Sequence, residues 1–375
     1  MVLSFSPLET DPRVNRQIRF LSESYEIIAV GYGRPAEKNV TSISVAPQPA
    51  NSLFGKIRGV LRLLAGRFES YYWSNAKILE TLDRLAGIRV DLIIANDIES
   101  LPLAIRVARG ARVIFDAHEY SPREFEEALL WRIFFRKYIC YLCNTYIPRV
   151  DGMMTVCQGI ADAYEADTGL RPVVVTNAPY YADLQPGLKG NDTRPIRMVH
   201  HGIANASRKI ENMIRMMEHM DPRFDLSLIL VDSTPGYLNR LKALAGNRSN
   251  VKFLPPVPMP ELPMILNEFD VGLFILEPVN FNYLHALPNK FFEFIQGRLA
   301  VAVGPSPEMA RIVREHDLGV VAGDFSPEAM ARCLGVLDHE KINYHKRQSH
   351  KVARRMSAEH NRGIFLDLVR RLLGE

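Results

Sequence analysis

His285-Ala286-Leu287-Pro288-Asn289-Lys290-Phe291-Phe292-Glu293-Phe294-Ile295-Gln296-Gly297 stands between two short apolar runs, 271–276 and 299–303. Runs of that length, bounded by turn residues, read as buried strands. The Pro-Asn pair turns the chain, and a helix is expected to start near Lys290. An ammonium (Lys290) and a carboxylate (Glu293) then stand three residues apart at a helix N-terminus, beside strand C-termini. Open α/β sheets bind ligands at that edge, and the N–H groups of a helix N-terminus attract anions. A solvated Lys–Glu pair on an amphipathic helix would give the same short string, so the rest of the chain decides between them.

Working outward, the same kind of run recurs. In the first half the runs are 2–5, 25–30, 41–45, 91–95, 113–115, 153–156 and 173–175; in the second half, 197–200, 226–231, 251–254, 271–276, 299–303 and 319–321. They are continuous rather than alternating, and helix-length segments separate them. That pattern predicts parallel sheets covered on both faces, in two doubly wound α/β domains. Pro179-Tyr180-Tyr181 and Gln185-Pro186-Gly187-Leu188-Lys189-Gly190-Asn191-Asp192 form a turn-rich stretch that marks the boundary. We therefore expect a first domain over 1–185, a second over 186–350, and a C-terminal helix over 351–375 packing back on the first, within a helical stretch from about 341 to 373.

Composition narrows the class. With 375 residues, 47% hydrophobic and 23% charged, the chain has ample material for two cores. A net charge of +4 does not call for nucleic acid as a partner. Of the four cysteines, Cys140 and Cys143 form a C-x-x-C, but within an aromatic, helix-period segment and with no second Cys/His pair at ligand spacing. No metal site is expected. Sparse cysteines suit a reducing compartment. There is no signal-peptide pattern and no apolar run of about 18 residues. The expectation is a cytoplasmic protein, at most peripheral on the inner face of the plasma membrane.

Several polar residues fall at the expected strand ends. Phe115-Asp116-Ala117-His118-Glu119-Tyr120 closes the fifth run and places His118 just past it; Asn96-Asp97 closes the fourth. After the first run, Asp11 and Pro12 fit the N-cap and first turn of a helix, with Arg13 as an anion contact. In His200-His201-Gly202-Ile203-Ala204-Asn205-Ala206-Ser207-Arg208-Lys209, Gly202 permits close backbone approach. Asn205 or Ser207 is expected to cap a helix running toward Met220. Arg208 and Lys209 would then oppose the helix dipole at a cost of roughly 0.3–1 kcal/mol, which a bound anion would offset.

Segment 288–293 resembles the "PNKxFE" loop-helix of the family 4 retaining glycosyltransferases, and two Rossmann-like domains with a returning tail resemble their GT-B arrangement, in which the domains face a cleft. The resemblance covers nearly the whole chain. It implies a donor site of Gly202, Arg208, Lys209, His285, Asn289, Lys290 and Glu293. In it the cations grip a diphosphate and Glu293 holds the ribose. It implies His118 as the catalytic residue, with Arg13 and Asp97 on the acceptor side. The donor would be a UDP- or GDP-sugar, with no cofactor or metal required. The acceptor would be a saccharide or lipid-linked saccharide, in bacterial surface polysaccharide synthesis. The chain departs from the family pattern in three places: Ile203 holds the usual Arg place, the loop 7–14 lacks Gly-Gly, and His285 replaces the first acid of Glu-x7-Glu. A nucleotide-sugar 2-epimerase drawing on Asp97, Asp116 and Glu119, or a non-catalytic sugar-nucleotide-binding subunit, are the alternatives.

Two segments suggest a membrane surface. Residues 128–150 contain Arg132, Arg136, Lys137 and Arg149 among aromatics and no acid; residues 51–68 repeat the theme with Lys56, Arg58, Arg62 and Arg67. Basic residues near an anionic leaflet contribute roughly 1 kcal/mol each.

Overall fold

The computed structural model describes residues 1–47, 53–190 and 195–375. Asn51 lies outside the described residues, as do Asn191, Asp192 and the side chains of Leu53, Phe54 and Lys56. The chain forms two compact units: 1–176 with 280–282 and 362–375, and 177–279 with 283–361.

The first unit is built on seven parallel strands: β1 (Val2–Pro7), β2 (Ile28–Tyr32), β3 (Thr41–Ser44), β4 (Leu92–Asn96), β5 (Arg112–Ala117), β6 (Gly152–Thr155) and β7 (Val173–Val174). Their order is β3-β2-β1-β4-β5-β6-β7. The second unit has six: β8 (Ile196–Ala204), β9 (Phe224–Asp232), β10 (Val251–Leu254), β11 (Val271–Phe274), β12 (Ala300–Val303) and β13 (Gly319–Val321), in the order β10-β9-β8-β11-β12-β13. Every one of the expected apolar runs is a strand. Sheets sandwiched between helices bury both faces, so β4, β11 and β12 are buried at every position. Each order reverses once, between β1 and β4 and between β8 and β11, and the C-terminal edge of such a switch point is where open sheets bind ligands.

Local chemistry shapes the segments that leave those strands. After β1, Asp11 caps helix Pro12–Ser22, its carboxylate accepting from the N–H groups of Arg13 and Val14 at 3.0 and 3.1 Å. After β11, helix Asn289–Gln296 packs its Phe294 directly on Gly272. A Cβ at position 272 would lie 2.3 Å from the Phe294 ring. Phe294 also meets the His201 ring edge-on at 5.4 Å.

The C-terminal stretch is two helices, His339–Val352 and Ala358–Leu373, rather than one. The side-chain amide of Gln296 donates to the carbonyls of Ala353 at 2.7 Å and Met356 at 2.9 Å, satisfying backbone groups that a continuous helix would use itself. Residues 362–375 cluster with the first unit: Phe365 packs on Phe20 at 6.2 Å, and Leu368 and Leu372 press on Gly152.

Gly272→Ala is expected to destabilise the protein by about 1–3 kcal/mol through overpacking and to weaken nucleotide binding as the helix shifts. Denaturant unfolding and calorimetry check the two effects; an unchanged transition midpoint would show that Phe294 yields without strain.

Candidate functional site

In the second unit, β8 runs past the expected end at His200 as far as Ala204. His200 and His201 are buried. His200 Nδ1 donates to the Leu273 carbonyl at 2.9 Å, which leaves Nε2 as an acceptor facing Lys290 Nζ at 3.4 Å. Burial, then the Lys290 charge, pushes His200 well below its ordinary pKa and His201 to about 3. Both imidazoles are therefore neutral.

Lys290 is 5% exposed, and its ammonium also sits 4.6 Å over the Phe274 ring. Gly202 (φ 127°) brings backbone up to it: a Cβ there would be 3.0 Å from Lys290 Nζ and 3.8 Å from Arg208 Nη1. Burial, then Arg208, drives the Lys290 pKa down, and Glu293 offsets this only in part. Glu293 is 4% exposed and faces His201 Nε2 at 3.3 Å. Gly202, Arg208 and Lys290 thus converge, with Glu293 on the same helix as Lys290. Two buried or half-buried cations at one glycine have the charge and shape to hold an anion.

The loop that carries Arg208 differs from expectation. Asn205 caps only the single 3-10 turn Ala206–Arg208, and helix Glu211–Met216 starts later, because Lys209 adopts a left-handed conformation (φ 47°) that breaks the chain direction. Lys209 Nζ is bound to Glu277 at 2.7 Å, so Arg208 is the cation that joins Lys290. Asn289 opens the helix and Pro288 precedes it as the N-cap residue. His285 Nδ1 stands 3.6 Å from Glu308 Oε1, a buried acid at the start of helix Pro307–Glu315. Glu308 escapes sequence reasoning, since nothing in its own spacing links it to His285.

In the first unit, Arg13 does not present itself to an external anion. Its guanidinium holds Asp116 through Nε and Nη2 at 2.6 and 2.5 Å and donates to the Val175 carbonyl at 2.9 Å. A fully buried carboxylate at the end of β5 requires such a partner. Burial raises the Asp116 pKa, but Arg13 and His118 outweigh it and hold the group well below the usual carboxylate range. Gln17 donates to Asn96 at 2.9 Å and also to Asp116. His118 Nε2 lies 3.1 Å from Asn96 Oδ1 and 3.5 Å from Asp116, and Nδ1 lies 3.4 Å from Asp97, itself at φ 63°. Burial disfavours the imidazolium, yet Asp97 and Asp116 outweigh it and raise the His118 pKa. His118 and Asp97 both line a cavity of about 490 Å³ with Glu99, Glu119 and Glu124.

Among the described residues no group of His, Cys, Asp and Glu is placed to hold a metal ion, and no helix is long and apolar enough to cross a membrane.

The two parallel-sheet α/β units have the fold seen in GT-B glycosyltransferases. No protein-family model matches the chain, and no curated protein matches it by sequence. Solved structures do match. Sucrose-phosphate synthase from Thermosynechococcus elongatus superposes with a TM-score of 0.73 at 11% identity, over 100% of this chain and 98% of that one. HepE from Anabaena, solved with UDP and glucose, gives 0.68 at 14% identity over 98% of both chains. TarM from S. aureus, solved with UDP and α-GlcNAc-glycerol, gives 0.61 at 11% identity over 80% of this chain but only 59% of TarM. At these identities the likeness establishes the fold.

A raised His118 pKa has a definite sign for stability. The imidazolium stabilises the fold fully below the unfolded pKa of about 6.5, and that contribution is lost as pH rises through the higher folded value. His118→Gln is expected to lower the melting temperature more at pH 6 than at pH 9. Equal losses at the two values would mean that the ring is held neutral.

Proposed function

We propose that the chain is a glycosyltransferase that takes its sugar from a nucleoside diphosphate donor and retains the anomeric configuration. The observation that carries this reading is the convergence of Gly202, Arg208 and Lys290 at the C-terminal edge of β8 and β11, in a fold shared with proteins solved with UDP. Those neighbours favour uridine over guanosine. Arg208 and Lys290 hold the diphosphate, and Glu293 accepts from the ribose hydroxyls through charge-assisted bonds of roughly 1.5–3 kcal/mol each. The sugar–phosphate C–O bond breaks and a bond to the acceptor oxygen forms on the same face. The acceptor proton passes to the leaving diphosphate, whose growing charge the two cations stabilise. His118 supplies an N–H donor where the acceptor sugar binds, beside Asp97. His285, with Glu308 3.6 Å from its Nδ1, stands in for the missing acid. The acid cluster of Asp97 and Glu119 supports a second reading, a nucleotide-sugar 2-epimerase; an isomer formed from UDP-N-acetylglucosamine alone would establish it.

The donor assignment is tested by calorimetry. Lys290→Ala is expected to weaken UDP about 10- to 100-fold, the loss of one charge-assisted contact, and to leave uridine nearly unaffected. Glu293→Ala should weaken both. Equal losses for UDP and uridine in Lys290→Ala would remove its phosphate role.

We further propose peripheral docking on an anionic membrane, with a lipid-linked saccharide as acceptor. Helices Leu53–Leu64 and Leu129–Phe134 leave apolar side chains in solvent: Leu61 is 61% and Leu130 69% exposed, with Leu64, Leu129 and Ile133 also open. Exposed apolar residues interleaved with Arg132, Arg136 and Lys137 suit the headgroup boundary. The protein is expected to sediment with vesicles containing anionic lipid at low salt, and less so with added salt or with the three cations changed to Gln. Failure to sediment with anionic vesicles at low salt would leave a soluble acceptor.

A further inference from the structure

Two cavities of opposite charge adjoin in the first unit. One, about 490 Å³, is the acid-lined space beside His118, with Asp97, Glu99, Glu119 and Glu124 in its wall. The other, about 540 Å³, is lined by Arg58, Arg62 and Ser74 and by no acidic side chain among the described residues. Tyr71, Asn75 and Phe135 line both. They form a shared wall between the two spaces.

The acid cavity is unsuited to an anion. Lys77 pairs with Glu99 at 2.8 Å, but among the described residues no lysine or arginine lines the cavity itself, and His118 is its one basic side chain. Burial, then nearby acids, raises Glu119 to about 7 and Glu124 to about 8. A phosphate there would face the acidic side chains of Asp97, Glu99, Glu119 and Glu124. A sugar ring meets complementary chemistry instead. Its hydroxyls donate to carboxylate oxygens, and its apolar C–H faces pack on the rings of Trp131 and Tyr138. The second cavity reverses the preference. Arg62 is held at its wall by a hydrogen bond to Ser74, and a guanidinium is suited to bind phosphate oxygens in pairs.

Resting on the glycosyltransferase reading, we propose that the two cavities together form the acceptor site and that the acceptor is a glycosyl phosphate. Its sugar occupies the acid cavity beside His118, and its phosphate or diphosphate occupies the arginine cavity. The rings of Tyr71 and Phe135 lie between the two groups. An uncharged saccharide fills half of this site, and a free phosphate fills the other half.

Trp131 lines the acid cavity, and Trp73 is the one other tryptophan. The full chain carrying Trp73→Phe therefore reports on the site by fluorescence. It is titrated with methyl glycosides of common hexoses and N-acetylhexosamines, with the matching glycosyl 1-phosphates, with inorganic phosphate, and with short-chain polyprenyl-diphosphate sugars in detergent. A glycosyl phosphate is expected to bind at least tenfold tighter than its methyl glycoside. Arg58→Gln with Arg62→Gln should abolish that advantage while leaving the methyl glycoside unchanged. Glu119→Gln with Glu124→Gln should weaken the methyl glycoside several-fold. Binding of the free glycosyl phosphate supports recognition by the headgroup alone, and binding of the polyprenyl form only, still dependent on the arginines, supports a lipid-linked source. Equal affinity for methyl glycoside and glycosyl phosphate overturns the proposal, as does an equal loss of both in the arginine variant. UDP affinity, measured in parallel by calorimetry, should be unchanged in every variant. Loss of UDP binding by the parent chain would count against the donor reading alone.

Discussion

The packing of Phe294 on Gly272 sets the geometry of the second unit's site. Because position 272 has no side chain, a ring from helix Asn289–Gln296 lies against β11. The helix is amphipathic in the ordinary sense, but every residue from Lys290 to Gln296 is buried. A helix seated so deeply carries its polar residues inward with it. That brings Lys290 and Glu293 to the sheet edge, under the rings of Phe274, His200 and His201. Their positions follow from a contact between two hydrocarbons and not from any attraction among the charges.

Charge pairing then separates structural from ligand-directed cations. Arg13 and Lys290 are both buried, both near the C-terminal end of a first strand, and both beside a histidine. Arg13 meets a carboxylate through two N–H donors and a carbonyl through a third, so its charge is neutralised within the fold. Lys290 meets a neutral imidazole, a ring face and a second cation, and Glu293 offsets its cost only in part. A buried charge left in that state is costly, and the depressed pKa of Lys290 expresses the cost. On the proposed reading an arriving diphosphate would relieve it, whereas the charge of Arg13 is already met within the fold.

The strands are legible in the sequence because both faces of each sheet are buried, which leaves the signal in the composition of short runs and makes it independent of register. The Pro288-Asn289-Lys290 turn is legible for a similar reason: proline and the strand before it leave the chain few options. The loop after β8 is not. Asn205 is a good cap in isolation, and only the left-handed Lys209, tied to Glu277, shows that it closes a single turn. The break near Ala353 is set by Gln296, far away in the chain, so no local pattern could reveal it. Glu119 and Glu124 bracket a 3-10 turn, Ser121–Arg123, whose short span reads as an ordinary loop. Their shared environment comes from aromatic residues on later helices. Arg13 is legible as a helix residue but not in its partner, since Asp116 is brought to it only by the strand order.

These features give each unit its own electrostatic preference. On the proposed reading, the diphosphate of a donor would be drawn to Arg208 and Lys290, while a neutral sugar ring would gain little from a pair of cations and more from the acidic lining beside His118. Charge sorting of this kind acts before any close fit is reached, because Coulomb terms extend over several ångströms in a partly desolvated pocket whereas hydrogen-bond geometry does not. It also bears on the departure at His285. On the proposed reading, a carboxylate there would add negative charge to the unit that holds the donor's phosphates. An imidazole there offers a hydrogen-bonding group in its place, with Glu308 Oε1 standing 3.6 Å behind its Nδ1. The replacement, on that reading, keeps a polar group at that point of the second unit without adding an anion beside the proposed phosphate-binding residues.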